Sequence, residues 1–304
     1  MTRIIIGFFL FLAFSYTSVV SAMTSTNYRI DWDSINSGGT DFSTSTNFQM
    51  HDTLGEQGTG YGTSTNYLLH AGYRQYDETF EPSLSFRLGA QENSTQTSYT
   101  ALATTTNTVT LSSVANFSTG SYIGVVENQG LNQNFIVGLI SQINGLIITV
   151  DQWDGMTDLI SDTPAGGDDY AYRLNDLNIE FGTIDYVTPK TGIVVTDVRT
   201  NAENGYTLTI VANGRFTTGI ANMYDVSDGQ VTLSSEEYGG AVYGAHATST
   251  GSDFAITTTS REIQKSTTTA DIDRVGMIYK VAIDIATPAG AYQQSVAYLL
   301  TANF

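Results

Sequence analysis

The chain has no cysteine, 4 prolines, 2 tryptophans and only 12 lysines and arginines among its 304 residues. Without cysteine there is no disulfide, no thiolate nucleophile and no Cys-ligated zinc. A chain of this length must then be held by its core, and at 41% hydrophobic it can be. The scarcity of proline, beside abundant Thr, Ser, Asn, Gly and Tyr, is the palette of strands and tight turns. Basic residues are outnumbered by 30 acids, giving a formal net charge of -18. That charge repels phosphate backbones and argues against nucleic acid as a partner, while it permits cations. No apolar run of spanning length occurs after residue 22, so the mature chain is expected to carry no transmembrane segment.

The N-terminus reads as a signal peptide over residues 1–22. Arg3 supplies the positive region, residues 4–14 the apolar run, and Val20-Ser21-Ala22 the small residues of a cleavage site. The expected localisation is secreted, at the cell surface or extracellular.

Residues 23–78 repeat internally. Thr24-Ser25-Thr26-Asn27-Tyr28, Thr44-Ser45-Thr46-Asn47-Phe48 and Thr63-Ser64-Thr65-Asn66-Tyr67 recur at steps of 20 and 19. Each begins a short alternating segment, and glycine-bearing turns separate them. A unit of this size cannot bury its own apolar face, so copies must pack on each other or on the next domain. These units, ending in His70-Ala71-Gly72-Tyr73-Arg74, resemble the S-x-N-Y … A-G-Y/F repeats at the N-termini of many bacterial cell-surface proteins. The resemblance covers about fifty residues and implies export.

The remaining chain reads as all-β. Residues 79–106 hold one alternating strand, 83–88, and a polar, Thr-rich linker. Residues 107–165 look like a small β-barrel or meander, with Asn144-Gly145 as its strongest hairpin signal. The segments 83–88 and 177–182 are expected as neighbouring strands of the next domain, which would make this block an insertion. Residues 166–304 form strand after strand and suggest an antiparallel β-sandwich. Asn204-Gly205 launches one strand, in which Tyr206, Leu208 and Ile210 share a face, and Asn213-Gly214 offers the next turn. The last strand comes after Gly290, with Tyr292, Val296, Tyr298, Leu300 and Ala302 on one face. Residues 276–285 read as a half-buried strand, with Lys280 and Asp284 on its outer side.

Three features of residues 175–304 resemble the WxL domain of Gram-positive cell-surface proteins, and more closely its Tyr-bearing relatives. Val195-Thr196-Asp197-Val198-Arg199-Thr200 precedes Gly205-Tyr206-Thr207-Leu208-Thr209, as in the first WxL signature with Tyr206 in place of Trp. Ala289-Gly290-Ala291-Tyr292 followed by Ala297-Tyr298-Leu299-Leu300-Thr301 resembles the second, with Tyr298 for Trp. Asn201-Ala202-Glu203-Asn204-Gly205-Tyr206 has the form of a run in such surface domains. The resemblance implies a protein held non-covalently to wall glycan or to other surface proteins. Trp and Tyr both fill an apolar slot and keep a polar handle, so the exchange preserves packing more surely than recognition.

Candidate binding residues are therefore Tyr206, Leu208, Tyr298 and Leu300, which read first as paired core residues of adjacent strands, and Trp153. Calcium is the candidate cofactor, because acidic turns supply the carboxylates and carbonyls it takes. The places for it are Asp151, Asp154, Asp158 and Asp162, and Asp225 with Asp228. His51 and His70 sit three residues after their repeat aromatics, a pattern of repeat geometry; His246 stands apart. No nucleophile elbow, zinc-binding His-Glu-x-x-His or phosphate loop occurs. No catalytic residue is assigned, and the chain is not expected to be an enzyme.

The reading these features favour is a non-catalytic surface or attachment protein acting through β-domain contacts, including self-association. A carbohydrate-binding adhesin is the alternative, with Trp32, Tyr61, Trp153, Tyr238 and Tyr243 expected as exposed platforms. An outer-membrane β-barrel is a further one, since alternating apolar residues precede Phe304.

Overall fold

The computed structural model describes residues 82–161, 163–164 and 167–304 in full, and before them only four short strands. The chain divides into two compact units, Met1–Glu81 and Pro82–Phe304. In the first, β1 (Ser43–Thr44) pairs with β2 (Gln49–Met50), and β3 (Gly60–Thr63) with β4 (Leu68–Ala71), both antiparallel. In both hairpins the residues between the strands read Ser-Thr-Asn-aromatic, the second and third copies of the repeat. The first copy with Trp32 lies outside the described residues, as does His51.

The second unit is all-β and antiparallel, in three layers. Its strands are β5 (Leu84–Gln91), β6 (Thr97–Ala103), β7 (Thr108–Leu111), β8 (Tyr122–Glu127), β9 (Asn134–Asn144), β10 (Ile147–Val150), β11 (Asp154–Gly155) and β12 (Tyr170–Asp176), then β13 (Lys190–Thr200), β14 (Tyr206–Ala212), β15 (Glu237–Tyr243), β16 (Arg261–Ser266), β17 (Ala270–Ala282) and β18 (Val296–Ala302).

One layer is a closed barrel. β6 pairs with β7, β7 with β10, β10 with β9, β9 with β8, β8 with β12, and β12 returns to β6. Closure leaves this ring without free edges. The barrel thus takes in residues 97–103 and 170–176, on both sides of the segment that the sequence singles out. Its interior is apolar and filled by Leu111, Ile123, Val125, Ile136 and Ile148, all fully buried. A membrane-spanning barrel turns its apolar face outward instead. No helix among the described residues is long and apolar enough to cross a membrane.

The β9–β10 hairpin turns at Gly145-Leu146, one residue later than Asn144-Gly145 suggests: Asn144 and Ile147 are the last paired residues and Gly145 takes φ +61°. A two-residue hairpin loop needs positive φ at its first central position, which glycine accepts without strain.

The middle layer is the sheet β5-β13-β17-β15, and the third is β16-β14-β18. They form a sandwich around Val194, Val198, Tyr206, Leu208, Ile210, Val275 and Met277. The barrel hangs between β5 and β13, which pair directly from Leu84↔Thr200 to Ala90↔Val194. Residues 177–182, expected as the flanking strand, form none. Their apolar alternation packs without a ladder: Ile179 covers Gly192, and Phe181 meets Phe216.

The middle sheet is buried on both faces, which corrects the half-buried reading of residues 276–285. Residues 273–279 of β17 are all buried. The back of the sheet, with Ile193, Val195, Ala241 and Ile278, meets the barrel's outer residues Tyr122, Val126, Phe135, Val137, Tyr172 and Leu174. Two glycines allow that approach. A Cβ on Gly124 would strike the Ile193 side chain, and one on Gly276 would strike the Phe135 ring.

Candidate functional site

Two polar networks and one cleft carry the chemistry of the second unit. The first network lies where barrel and sheet meet. Arg274 on β17 is 1% exposed. Its guanidinium donates to Asp151 Oδ2 at 2.8 Å, Asp154 Oδ2 at 3.0 Å and Asp197 Oδ2 at 3.4 Å, and to the Gln152 carbonyl at 3.3 Å. Tyr122 donates its hydroxyl to Asp197 Oδ2 at 2.8 Å, and Arg87 lies 4.6 Å from the centre of the Tyr122 ring. A buried guanidinium must be paired on every side, and charge-assisted bonds to three carboxylates do this. Burial pushes the Asp154 carboxyl above the ordinary carboxylate range; the Gln152 amide and Arg274 oppose the rise, and Asp151 and Asp197 add to it. Burial pushes the Tyr122 phenol up, and Asp197 beside it adds to the rise.

The second network runs through the sandwich core. Tyr206 donates its hydroxyl to Asp273 Oδ2 at 2.5 Å, and Gln264 Nε2 donates to the Tyr206 oxygen at 2.7 Å. Thr196 Oγ1 donates to Gln264 Oε1 at 2.7 Å. On the outer side, the half-exposed His246 sets Nδ1 2.6 Å from the same Asp273 Oδ2. Burial and the Asp273 bond push the Tyr206 phenol well up, which keeps it a neutral donor.

The cleft, about 1220 Å³, opens beside the N-terminal half of β18. Its floor is aromatic. Phe216 stacks on Tyr238 at 4.6 Å, Phe181 meets both edge-on at 6.0 and 6.5 Å, and Tyr292 lies 5.8 Å from Phe216. Behind them the Tyr279 and Tyr298 hydroxyls share a hydrogen bond of 2.7 Å, and burial pushes both phenols up. The polar lining consists of amides and hydroxyls, with one carboxylate, Glu180, and one guanidinium, Arg215, among the described residues. Such a surface can stack and hydrogen-bond a ligand.

The candidates from sequence scatter over these features. Asp151 and Asp154 converge, but on Arg274. Asp158 is exposed and Asp162 lies outside the described residues. Asp225 faces Arg215 at 3.7 Å, and burial raises its pKa against the pull of that arginine. Asp228 Oδ1 accepts the Gln230 N–H at 3.0 Å. No group of three or more His, Asp or Glu among the described residues is arranged to hold a metal ion. Tyr206 and Leu208 are fully buried, and Tyr298 and Leu300 face the same core. Trp153 and Tyr238 are not exposed: Trp153 is 7% exposed in the barrel core, and Tyr238 is buried under the cleft. Tyr243 packs edge-on against Phe135 at 5.8 Å. Tyr61 lies on β3, whose side chains are outside the description, as are those of β4 with His70.

Arg274, Asp273 and Gln264 carry no motif, and Asp197 lies within the quoted run 195–200 without being singled out by it. Their one signal is a charge or amide inside an apolar alternating strand. Phe181, Phe216 and Tyr292 come together from segments up to 111 residues apart, and no local pattern marks them.

Comparison with family models, with curated proteins and with solved structures returned no match.

Proposed function

We propose that this chain is a secreted bacterial cell-surface structural or attachment protein that works through contacts of its β-domains and performs no catalysis. The observation that carries the reading is the register of β14 on β18. It sets Leu208 opposite Leu300 and Ile210 opposite Tyr298, so the two segments that resemble WxL signatures lie side by side as adjacent strands. Paired signatures on neighbouring strands are what one shared structural motif requires. The signal-like N-terminus, the repeats and the net charge of -18 support an exported, soluble chain. Cell-wall glycan and other surface proteins are the partners this reading names. Calcium remains a proposal for the acidic turn at Asp225 and Asp228.

The test is co-sedimentation of the purified chain with envelope fragments of the producing cells. Binding that salt reverses supports the reading. A chain that stays in the supernatant at every salt concentration contradicts it.

The aromatic cleft favours a second reading, a carbohydrate-binding adhesin. Sugar rings stack on aromatic faces, and amide-rich linings bond their hydroxyls. A glycan array probed with the native chain and with Tyr292→Ala tests it. Binding lost in the variant supports the adhesin, and an array blank for both discards it.

A further inference from the structure

A sheet that ends in water must blunt its last strand or pair it. The sandwich handles its edges unequally. β16 carries Arg261, Glu262 and Lys265. β15 is covered by bridges from Phe254 to Gly240 and from Asp225 to Tyr238. β18 has neither device. It pairs with β14 on one side, and no described strand pairs with the other. It reads Val-Ala-Tyr-Leu-Leu-Thr-Ala, without charge, proline or glycine. No Asp, Glu, Lys, Arg or His occurs anywhere from 285 to 304, in a chain of net charge -18.

The hydrogen-bond parity of β18 is set at its ends. Asn213 N–H donates to the Ser295 carbonyl at 2.9 Å, and Asn303 N–H donates to the Gly205 carbonyl at 2.8 Å. Odd-numbered residues of β18 therefore bond to β14. The N–H and C=O groups of Val296, Tyr298, Leu300 and Ala302 point out of the sheet. Their side chains face the core, while Ala297, Leu299 and Thr301 stand exposed on the outer surface. Leu299 is 50% exposed.

We propose that β18 is a homodimerisation edge, pairing antiparallel with β18 of a second copy about a two-fold axis at Leu299. The register is self-complementary. Val296 meets Ala302 of the other copy, and Tyr298 meets Leu300, as the pairs that exchange N–H···O=C bonds. The outward-pointing backbone groups of both strands are thereby all used. Leu299 falls opposite its own copy in the closer, non-hydrogen-bonded kind of pair, flanked by Ala297 opposite Thr301. No like charges meet along the seam, although the two bodies repel each other as wholes. The third layer becomes one continuous sheet of six strands, three from each copy. An isologous contact of this kind closes at two copies and does not propagate. Among neutral strands, a second copy of this one fits because the same residues serve both sides.

The dimer deepens the surface-protein reading by naming its contact, and it rests on that reading only for its biological purpose. Cell location can fail while the dimer stands, and the reverse. The test uses the full mature chain. Light scattering at micromolar concentration is expected to give twice the mass of one chain. The protein lacks cysteine, so single cysteines report the register without background. Under mild oxidation Leu299→Cys is expected to give a disulfide-linked dimer, because a directly opposed pair places the sulfurs within reach. Ala297→Cys alone is expected to stay unlinked, and Ala297→Cys with Thr301→Cys to link. Leu299→Lys sets two like charges opposite each other and is expected to halve the mass while leaving the near-UV circular dichroism unchanged. A native chain of single mass overturns the proposal. Linkage through Ala297→Cys alone, or no linkage through Leu299→Cys, overturns it equally. If Leu299→Lys fails to fold, the cysteine pattern still decides.

Discussion

Arg274 and Asp151 are 123 positions apart in sequence, yet their side chains meet at 2.8 Å between the barrel and the middle sheet. The Arg274 side chain has no exposed surface, and Asp154 and Asp197 complete its surroundings. One buried cation thus ties the turn after β10 to β13 and β17. Removing one partner from such a cluster leaves the others buried and uncompensated. Arg274→Ala is expected to destabilise the second unit by about 3–5 kcal/mol. Arg274→Lys should recover part of that loss, since a point charge cannot fork to three carboxylates. Urea unfolding of each variant measures both.

The same cluster predicts a pH effect. The folded protein raises the Asp154 pKa, so it holds this proton at pH values where the unfolded chain has released it. The resulting stabilisation is full below the ordinary carboxylate range. It is lost as pH rises through the folded value. Asp154→Asn is expected to flatten the stability profile in that window. Thermal unfolding of both proteins across acidic pH provides the comparison, and parallel profiles would contradict the assignment.

Gly276 faces the Phe135 ring, which is fully buried and packed edge-on against Tyr243 at 5.8 Å. The ring has nowhere to go. Gly276→Ala is expected to cost about 1–3 kcal/mol by overpacking, and Gly276→Val more. Urea unfolding of both variants measures the cost, and midpoints equal to that of the native protein would contradict the assignment.

Tyr206 links Asp273 and Gln264 through its hydroxyl, and Gln264 extends the network to Thr196. Tyr206→Phe keeps the ring and deletes the donor, leaving Asp273 short of one partner in the core. The expected cost is about 1–3 kcal/mol. A chemical denaturation midpoint unchanged from the native protein would show that the Tyr206 hydroxyl adds nothing to the network.

How much was legible in the sequence depends on which faces a strand presents. β14 alternates cleanly because one face meets the core and the other meets solvent, and its bounds are readable from Tyr206 to Ala212. β13 and β17 are readable as strands, but their covered second faces are not, because the barrel that covers them is distant in sequence. β6 hides behind a bulge: its register shifts between Tyr99 and Ala101, so the buried Tyr99 and Leu102 are three apart and the period of two is broken. β15 contains Gly239 and Gly240, which have no side chains to show an alternation. They are needed because Val226 packs over one and the backbone of Ile278 crowds the other. Residues 177–182 show the reverse error, an alternation that serves packing without any ladder. The acidic turn was legible as acidic, but its partner Arg274 was not, since nothing local ties position 274 to 151. The cleft was invisible for the same reason.

Fractionation of the producing cells tests the central claim most directly. Cells are washed with buffer, then with high salt or chelator, then with detergent, and the protein is tracked through each step. A non-covalently held surface protein is expected in the salt or chelator wash. Protein found in the cytosol, or retained until detergent is added, would contradict the account.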